Sequence, residues 1–406
     1  MVGEPPTRRA ATVWLVGLAI LLLAFNLRPA VTSLGAVLDD VRGDLGLSAT
    51  AAGVLTTLPV LCFAAFGAAA PGLARRFGAR RVIVVSVTAI MLGLLVRALA
   101  GNAVVFFVMT GLALAGMATG NVLLPAIVKR YFPRRVGRMT GLYTTSIAVG
   151  TTAAAAVTVP VGEVVGGWRG GLLVWGVTAG VAVIPWVLVL RADHAGVTSR
   201  GPGPEPAVPV PRMARVPLAW ALAVYFGSQS LQAYAAFGWL PQIYRDAGFD
   251  PATAGLLLAV VPTLGIPVAL ALPMLAARRP DQRPYVVVCV AAFAAGYLGL
   301  MTVPATLPWL WVVLLGIGGG AFPLALVMIG LRARTPEGTV RLSGFAQSIG
   351  YVVAASGPVA LGLLYDVTGG WTAPIGLLIG LLVPQLIAGL FAARPVYVED
   401  VHTRKA

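Results

Sequence analysis

Apolar residues fall into about twelve runs of roughly 20 residues, separated by short polar gaps. Runs of that length cross a bilayer as helices. The breakers place spans near Ala11–Val37, Ala51–Ala70, Val82–Ala100, Val104–Val128, Met139–Val161 and Gly171–Leu190. A second six follow near Pro217–Pro241, Ala254–Ala276, Tyr285–Thr302, Pro308–Leu331, Leu342–Leu364 and Pro374–Ala392. The pattern predicts an all-α membrane protein of twelve transmembrane helices.

Lys and Arg crowd into every second gap. Of the 29, 24 fall on one side of this twelve-span arrangement, and Arg42, Arg97, Arg169 and Arg245 fall on the other. Cytoplasmic loops collect basic residues, so both termini are expected in the cytoplasm and the protein in the cell inner membrane. Composition agrees, with 58% hydrophobic and only 11% charged residues. The net charge of +15 is therefore topogenic, with contact to anionic lipids, and calls for no nucleic acid. Cys62 and Cys289 lie in spans of different halves and read as buried thiols.

Residues 1–190 and 217–406 form two expected six-helix bundles, joined by a cytoplasmic linker over 191–216 that holds the Pro-rich stretch Gly201–Arg212. The halves also resemble each other. Gly46 and Gly53 map onto Gly248 and Gly255 at an offset of 202, while RMTG (Arg138–Gly141) maps onto RLSG (Arg341–Gly344) and GGW (Gly166–Trp168) onto GGW (Gly369–Trp371) at 203. Four landmarks in order at nearly one offset indicate a duplication, and in repeat-built transporters the solute site lies at the repeat interface.

The stretch PGLARRFGARR (Pro71–Arg81) resembles the signature between helices two and three of the major facilitator superfamily, with Leu73, Phe77, Gly78 and Arg80 matching. Arg75 stands where that signature carries an acid, and Pro71 where it carries glycine, so the locking salt bridge assigned to the acid is not implied here. A narrower resemblance rests on FNLRPAVTSLG (Phe25–Gly35), GNVLLPAIVKRYFP (Gly120–Pro133) with GRMTGLYT (Gly137–Thr144), and GSQSLQAYAAFGWLPQIYRDAG (Gly227–Gly248). These are similar to the cyanate and 2-nitroimidazole transporter (CynX/NimT) family. The resemblance implies two pseudo-symmetric bundles that alternate access to a small, polar, electron-rich solute.

Arg28 stands well inside the first apolar run, about 16 Å from the acidic cluster Asp39, Asp40 and Asp44 at a helical rise of about 1.5 Å. A charge at that depth costs about 2.5–3.5 kcal/mol and marks a solute path or a structural pair. As a clamp, the guanidinium fork suits oxygen or nitro groups; as a structural charge, Arg28 pairs with Glu163 or Asp366 or snorkels outward. Asn26 precedes it, and Pro29 loosens the helix there. By the repeat, Asn26 maps onto Gln229 and Pro29 onto Gln232. Both glutamines, with Asn121, Gln347 and Tyr234, are candidate solute contacts or interhelical hydrogen bonds.

Gly116 and Gly120, and Gly316, Gly319 and Gly320, permit close helix contact and are candidate gating bends. No Asp, Glu or His lies deep in a span, so proton coupling would fall to acids at span ends such as Glu163 or Asp366, and uniport or exchange is equally open. The same absence removes the base or metal ligands of a membrane enzyme, and no Walker loop is present. The expected protein is a monomeric transporter without cofactor or metal, with small-molecule solute and membrane lipids as partners. Cyanate-like import, export of a nitroaromatic or drug-like compound, and solute sensing without transport are the functions to separate.

Overall fold

The computed structural model describes residues 6–194 and 211–401, whose regular elements are all helices, with no strand among them. Most of the predicted linker, 195–210, lies outside them, as does His402. The helices are α1 (Pro6–Phe25), α2 (Pro29–Ala36), α3 (Leu38–Leu45), α4 (Ala49–Phe77), α5 (Ala79–Ala98), α6 (Ala103–Tyr131), α7 (Val136–Val165) and α8 (Trp168–His194). They continue with α9 (Pro217–Asp246), α10 (Pro251–Ala276), α11 (Arg283–Thr302), α12 (Pro308–Gly318), α13 (Ala321–Leu331), α14 (Pro336–Thr368) and α15 (Thr372–Ala392).

Among the described residues eleven segments are long and apolar enough to span a bilayer. The twelfth membrane-length helix is α9, whose 30 residues reach about 45 Å. It falls short in apolarity because Ser228–Gln232 places four polar side chains in its middle, all of them buried. The chain therefore has the twelve-helix, two-bundle architecture that its periodicity predicts.

Local chemistry explains the helix limits. Ser48, Asn102 and Thr335 accept hydrogen bonds from the backbone N–H of Ala51, Val105 and Gly338 and so cap α4, α6 and α14. Gly46 and Gly369 end α3 and α14 in left-handed conformations, φ +62° and +66°, which favour glycine.

Two compact units result, Met1–Pro133 with Val149–Pro209, and Arg134–Ala148 with Val210–Ala406; α7 thus contributes to both. In unit 1, α5 packs against α6 and α8. A Cβ at Gly93 would lie 2.6 Å from the Met109 carbonyl oxygen, and the Trp186 indole donates to the Ala19 carbonyl at 3.0 Å, tying α8 to α1. In unit 2, Gly227 and Gly350 let α9 and α14 meet backbone to backbone. There the first turns of α7 lie on α10, where Thr144 donates to the Ala269 carbonyl at 2.9 Å.

The repeat is not exact. The first copy breaks its opening span at Asn26–Arg28, whereas α9 is continuous; the second copy breaks its fourth span at Gly319–Gly320, whereas α6 is continuous. Gly116 and Gly120 thus lie within an unbroken helix and also serve packing. A Cβ at Gly116 would overlap the Ser86 carbonyl oxygen of α5, while one at Gly120 would make ordinary contact with Leu23 of α1 and with Leu27 in the break that follows it.

Beyond α15, Val398 is fully buried and its N–H donates to the Arg332 carbonyl. The buried Glu399 carboxylate accepts from the N–H groups of Arg334 and Thr335, at 2.9 and 3.2 Å, and so sits at the start of α14, where the helix dipole favours negative charge. Arg332 donates to the carbonyls of Ala392, Ala393 and Pro280 and to Gln282, and burial pushes its guanidinium down to about 10.

Candidate functional site

In unit 1 the site grows out of the break in the first span. Pro29 cannot donate to the α1 ladder, so α1 stops at Phe25 and Pro29 starts α2 at its first position. The freed groups find partners nearby. Asn26, 1% exposed, donates from its amide to the Leu22 carbonyl at 2.9 Å and more weakly to the Thr178 carbonyl at 3.4 Å. Its own carbonyl accepts from the Thr178 hydroxyl at 3.0 Å. Both ends of that amide are engaged between α1 and α8, so Asn26 braces the break.

Arg28 occupies the cap of α2, half-buried, with its guanidinium 5.2 Å from the centre of the Phe63 ring of α4. Glu163 and Asp366, the structural partners considered for it, are both exposed. Asn121 is buried in α6 at 3% exposure.

Arg97, assigned to the outer side, is fully buried in the last turn of α5, so Arg28 is not alone as a basic group inside the fold. Arg97 donates to the Ala30 carbonyl at 2.9 Å and to the Ser33 hydroxyl at 3.1 Å, both on α2. No carboxylate pairs with it among the described residues. The negative end of the α5 dipole and two neutral acceptors hold the charge instead. Arg97 thereby pins α2, the short helix that Arg28 caps.

The break is also pressed from α7. A Cβ at Gly150 would overlap the Phe25 carbonyl oxygen and lie 2.9 Å from its carbonyl carbon. Gly150→Ala is expected to push α7 off the end of α1 and cost about 1–3 kcal/mol, the range for overpacking. Thermal melting of the purified variant checks this, and an unchanged melting temperature would show that the contact yields freely.

In unit 2 the candidates lie on α9 and α14. Gln229 donates to the Ser230 hydroxyl at 2.6 Å, and Gln347 to the Ser343 hydroxyl at 2.7 Å, each within its own helix. Gln232 is fully buried and donates to the Leu378 carbonyl of α15 at 3.1 Å, while its own carbonyl oxygen has no partner among the described residues. Tyr234 is half-buried on α9. Trp239 donates to the Pro358 carbonyl and packs on Trp371, a structural use of that ring.

Sequence reasoning passed over Gln385 of α15, a fully buried amide with neither its nitrogen nor its oxygen paired among the described residues. The signal was an amide amid the apolar run Pro374–Ala392. Gly319 and Gly320 separate α12 from α13, and a Cβ at Gly320 would crowd Val268 at 2.6 Å; close packing and a helix break coincide there.

Residues 13–358 match the Major Facilitator Superfamily. The chain is 35% identical to the 2-nitroimidazole transporter of Escherichia coli (strain K12) over 375 residues, covering 92% of this chain and 93% of that protein. It is 29% identical to the cyanate transport protein CynX of the same organism over 355 residues, 87% of this chain and 91% of that protein. In fold it is similar to the proton:xylose symporter XylE, with a TM-score of 0.76 at 12% identity over 98% of this chain and 99% of that one. With its twelve membrane-length helices and two bundles, the chain belongs to the major facilitator superfamily of membrane transporters.

Proposed function

We propose that this transporter carries a small polar solute, anionic or electron-rich, across the cell inner membrane by alternating access, with Arg28 as the group that receives the solute's electron-rich end. The observation that carries the reading is a half-buried guanidinium at a helix break, facing an aromatic ring at 5.2 Å. Such a charge is costly to keep at membrane depth, and its planar fork matches carboxylate-like, cyanate-like or nitro acceptors. The relatives' names, a 2-nitroimidazole transporter and a cyanate transport protein, describe solutes of this kind.

In unit 2, Gln232 and Gln385 supply buried amide atoms without partners among the described residues, suited to a solute that both donates and accepts. Gln229, Gln347 and Tyr234 are the further recognition groups proposed for unit 2, and Asn121 is the one proposed for unit 1. Asn26 positions Arg28 and does not bind. The only buried carboxylate among the described residues is Glu399, engaged at the start of α14. Solute exchange therefore needs no proton relay within the spans.

Counterflow in proteoliposomes tests the reading. Liposomes loaded with cyanate or 2-nitroimidazole should take up the labelled solute by saturable exchange, inhibited by unlabelled solute. Binding without exchange would mark a sensor on a transporter fold. Absence of both, in folded protein, would overturn the proposed solute class.

A further inference from the structure

We propose that Asp44 and Asp246 are positioning residues, repeat-related anchors that tie the far end of the opening span in each unit to the start of that unit's last helix. The proposal rests on the solute reading above, because the groups assigned there to recognition, Arg28 and the glutamines of α9, stand on those two spans.

Both aspartates lie two residues before a glycine of positive φ, Gly46 at +62° and Gly248 at +96°, and they map onto each other at the same offset of 202. Asp44 is in the last turn of α3, and Asp246 is the last residue of α9. An acid there faces the negative end of the helix dipole, which is unfavourable. Each copy nevertheless has one, and each offsets it with donors from the same place, the GGW corner that recurs at 203.

In the first copy the donor is a cation. Arg169, the second residue of α8, pairs with Asp44 at 2.5 Å and donates to the Ala100 carbonyl at 3.2 Å, and its guanidinium carbon lies 4.3 Å from the Trp168 ring centre. Val37 and Val41 share one apolar cluster with Trp168 and Leu172 of α8. Only Val37 separates α2 from α3, so the tie reaches the helix that Arg28 caps. In the second copy the donors are neutral. The Trp371 indole and the Tyr365 hydroxyl donate to one oxygen of Asp246 at 2.8 and 3.0 Å, while Gln242 of α9 donates to the other at 2.7 Å. From Gln232 to Asp246, α9 runs unbroken. Duplication has kept both ends of the tie and changed its donors, as expected for a connection that serves both halves. The two ties differ in one measurable respect: the side chains of the ion pair are 38% and 43% exposed, so salt screens it, whereas the neutral donors of unit 2 are insensitive.

Hydrogen exchange and solute counterflow of the full chain test the anchors. Asp44→Ala or Arg169→Ala should speed hydrogen exchange in α3 and α2 by about threefold or more, and Asp246→Ala should do so in the last turns of α9. Raising salt from about 0.1 M to about 1 M, which shortens the Debye length from about 10 Å to about 3 Å, should reproduce the first effect in the wild type and spare α9. The exchanged pair Asp44→Arg/Arg169→Asp should recover most of the protection. In counterflow, each alanine variant should raise KM about threefold or more with a maximal rate within about twofold of the wild type, because recognition groups shift while the cycle stays intact. Asp44 and Asp246 are exposed, so their variants are expected to fold. Unchanged hydrogen exchange in the variants would overturn the proposal. So would lost protection with a wild-type KM, which would make the ties structural only. Hydrogen exchange needs no solute, so a wild type that moves neither cyanate nor 2-nitroimidazole would remove the solute class while the exchange data still decide the anchors.

Discussion

Arg28→Ala should abolish binding of an anionic solute while leaving the melting temperature within a few degrees of the wild type. The Phe63 contact is a cation–π interaction worth about 0.5–2 kcal/mol, and its loss is offset by release of a charge that costs about 2.5–3.5 kcal/mol to keep at membrane depth. Arg28→Lys keeps the charge and loses the planar fork. Its affinity should fall by about 1.5–3 kcal/mol, the scale of a charge-assisted hydrogen bond, which is roughly tenfold to more than a hundredfold. Calorimetric titration and melting on the same preparations separate recognition from stability. A stable Arg28→Ala protein with unchanged affinity would remove Arg28 from the site.

Substitution of Arg97 should show the reverse separation between chemistry and architecture. Arg97 touches no solute in this account, yet it holds α2 through Ala30 and Ser33. Methionine fills similar space without the charge, and replacing a buried charge by a well-packed apolar group is often neutral in stability. Arg97→Met should therefore stay folded but exchange solute at least about tenfold more slowly, because α2 and the Arg28 cap lose their tether. Arg97→Ala leaves a cavity as well and should lose about 3 kcal/mol. Wild-type exchange by Arg97→Met would show that α2 is fixed by packing alone.

The helices and their limits were legible because bilayer thickness sets the length of apolar runs, and Pro, Gly and capping residues mark their ends within a few positions. Arg28 was legible for the same reason, as a charge in an apolar run. Arg97 was not. It stands one residue before the end of α5, where a basic side chain reads as a loop charge, and its burial comes from α2, 64 residues earlier at Ser33. The role of Asn26 likewise depends on Thr178, 152 residues away. Periodicity carries no such information. The glycines divide on local grounds: consecutive Gly318, Gly319 and Gly320 interrupt a helix, while Gly116 and Gly120, one turn apart in α6, leave theirs intact.

The polar centre of α9 has a consequence for biogenesis. A helix with Ser228, Gln229, Ser230 and Gln232 in its middle enters lipid poorly by itself, and its closest packing partner, α14, begins 90 residues after α9 ends. During synthesis α9 is expected to wait beside the translocation channel, or shelter against helices already inserted, until α14 arrives to pack on it and α15 to accept from Gln232. The second half of the chain thus completes its entry into the membrane in one late step, and truncation before α14 would strand α9 at the channel.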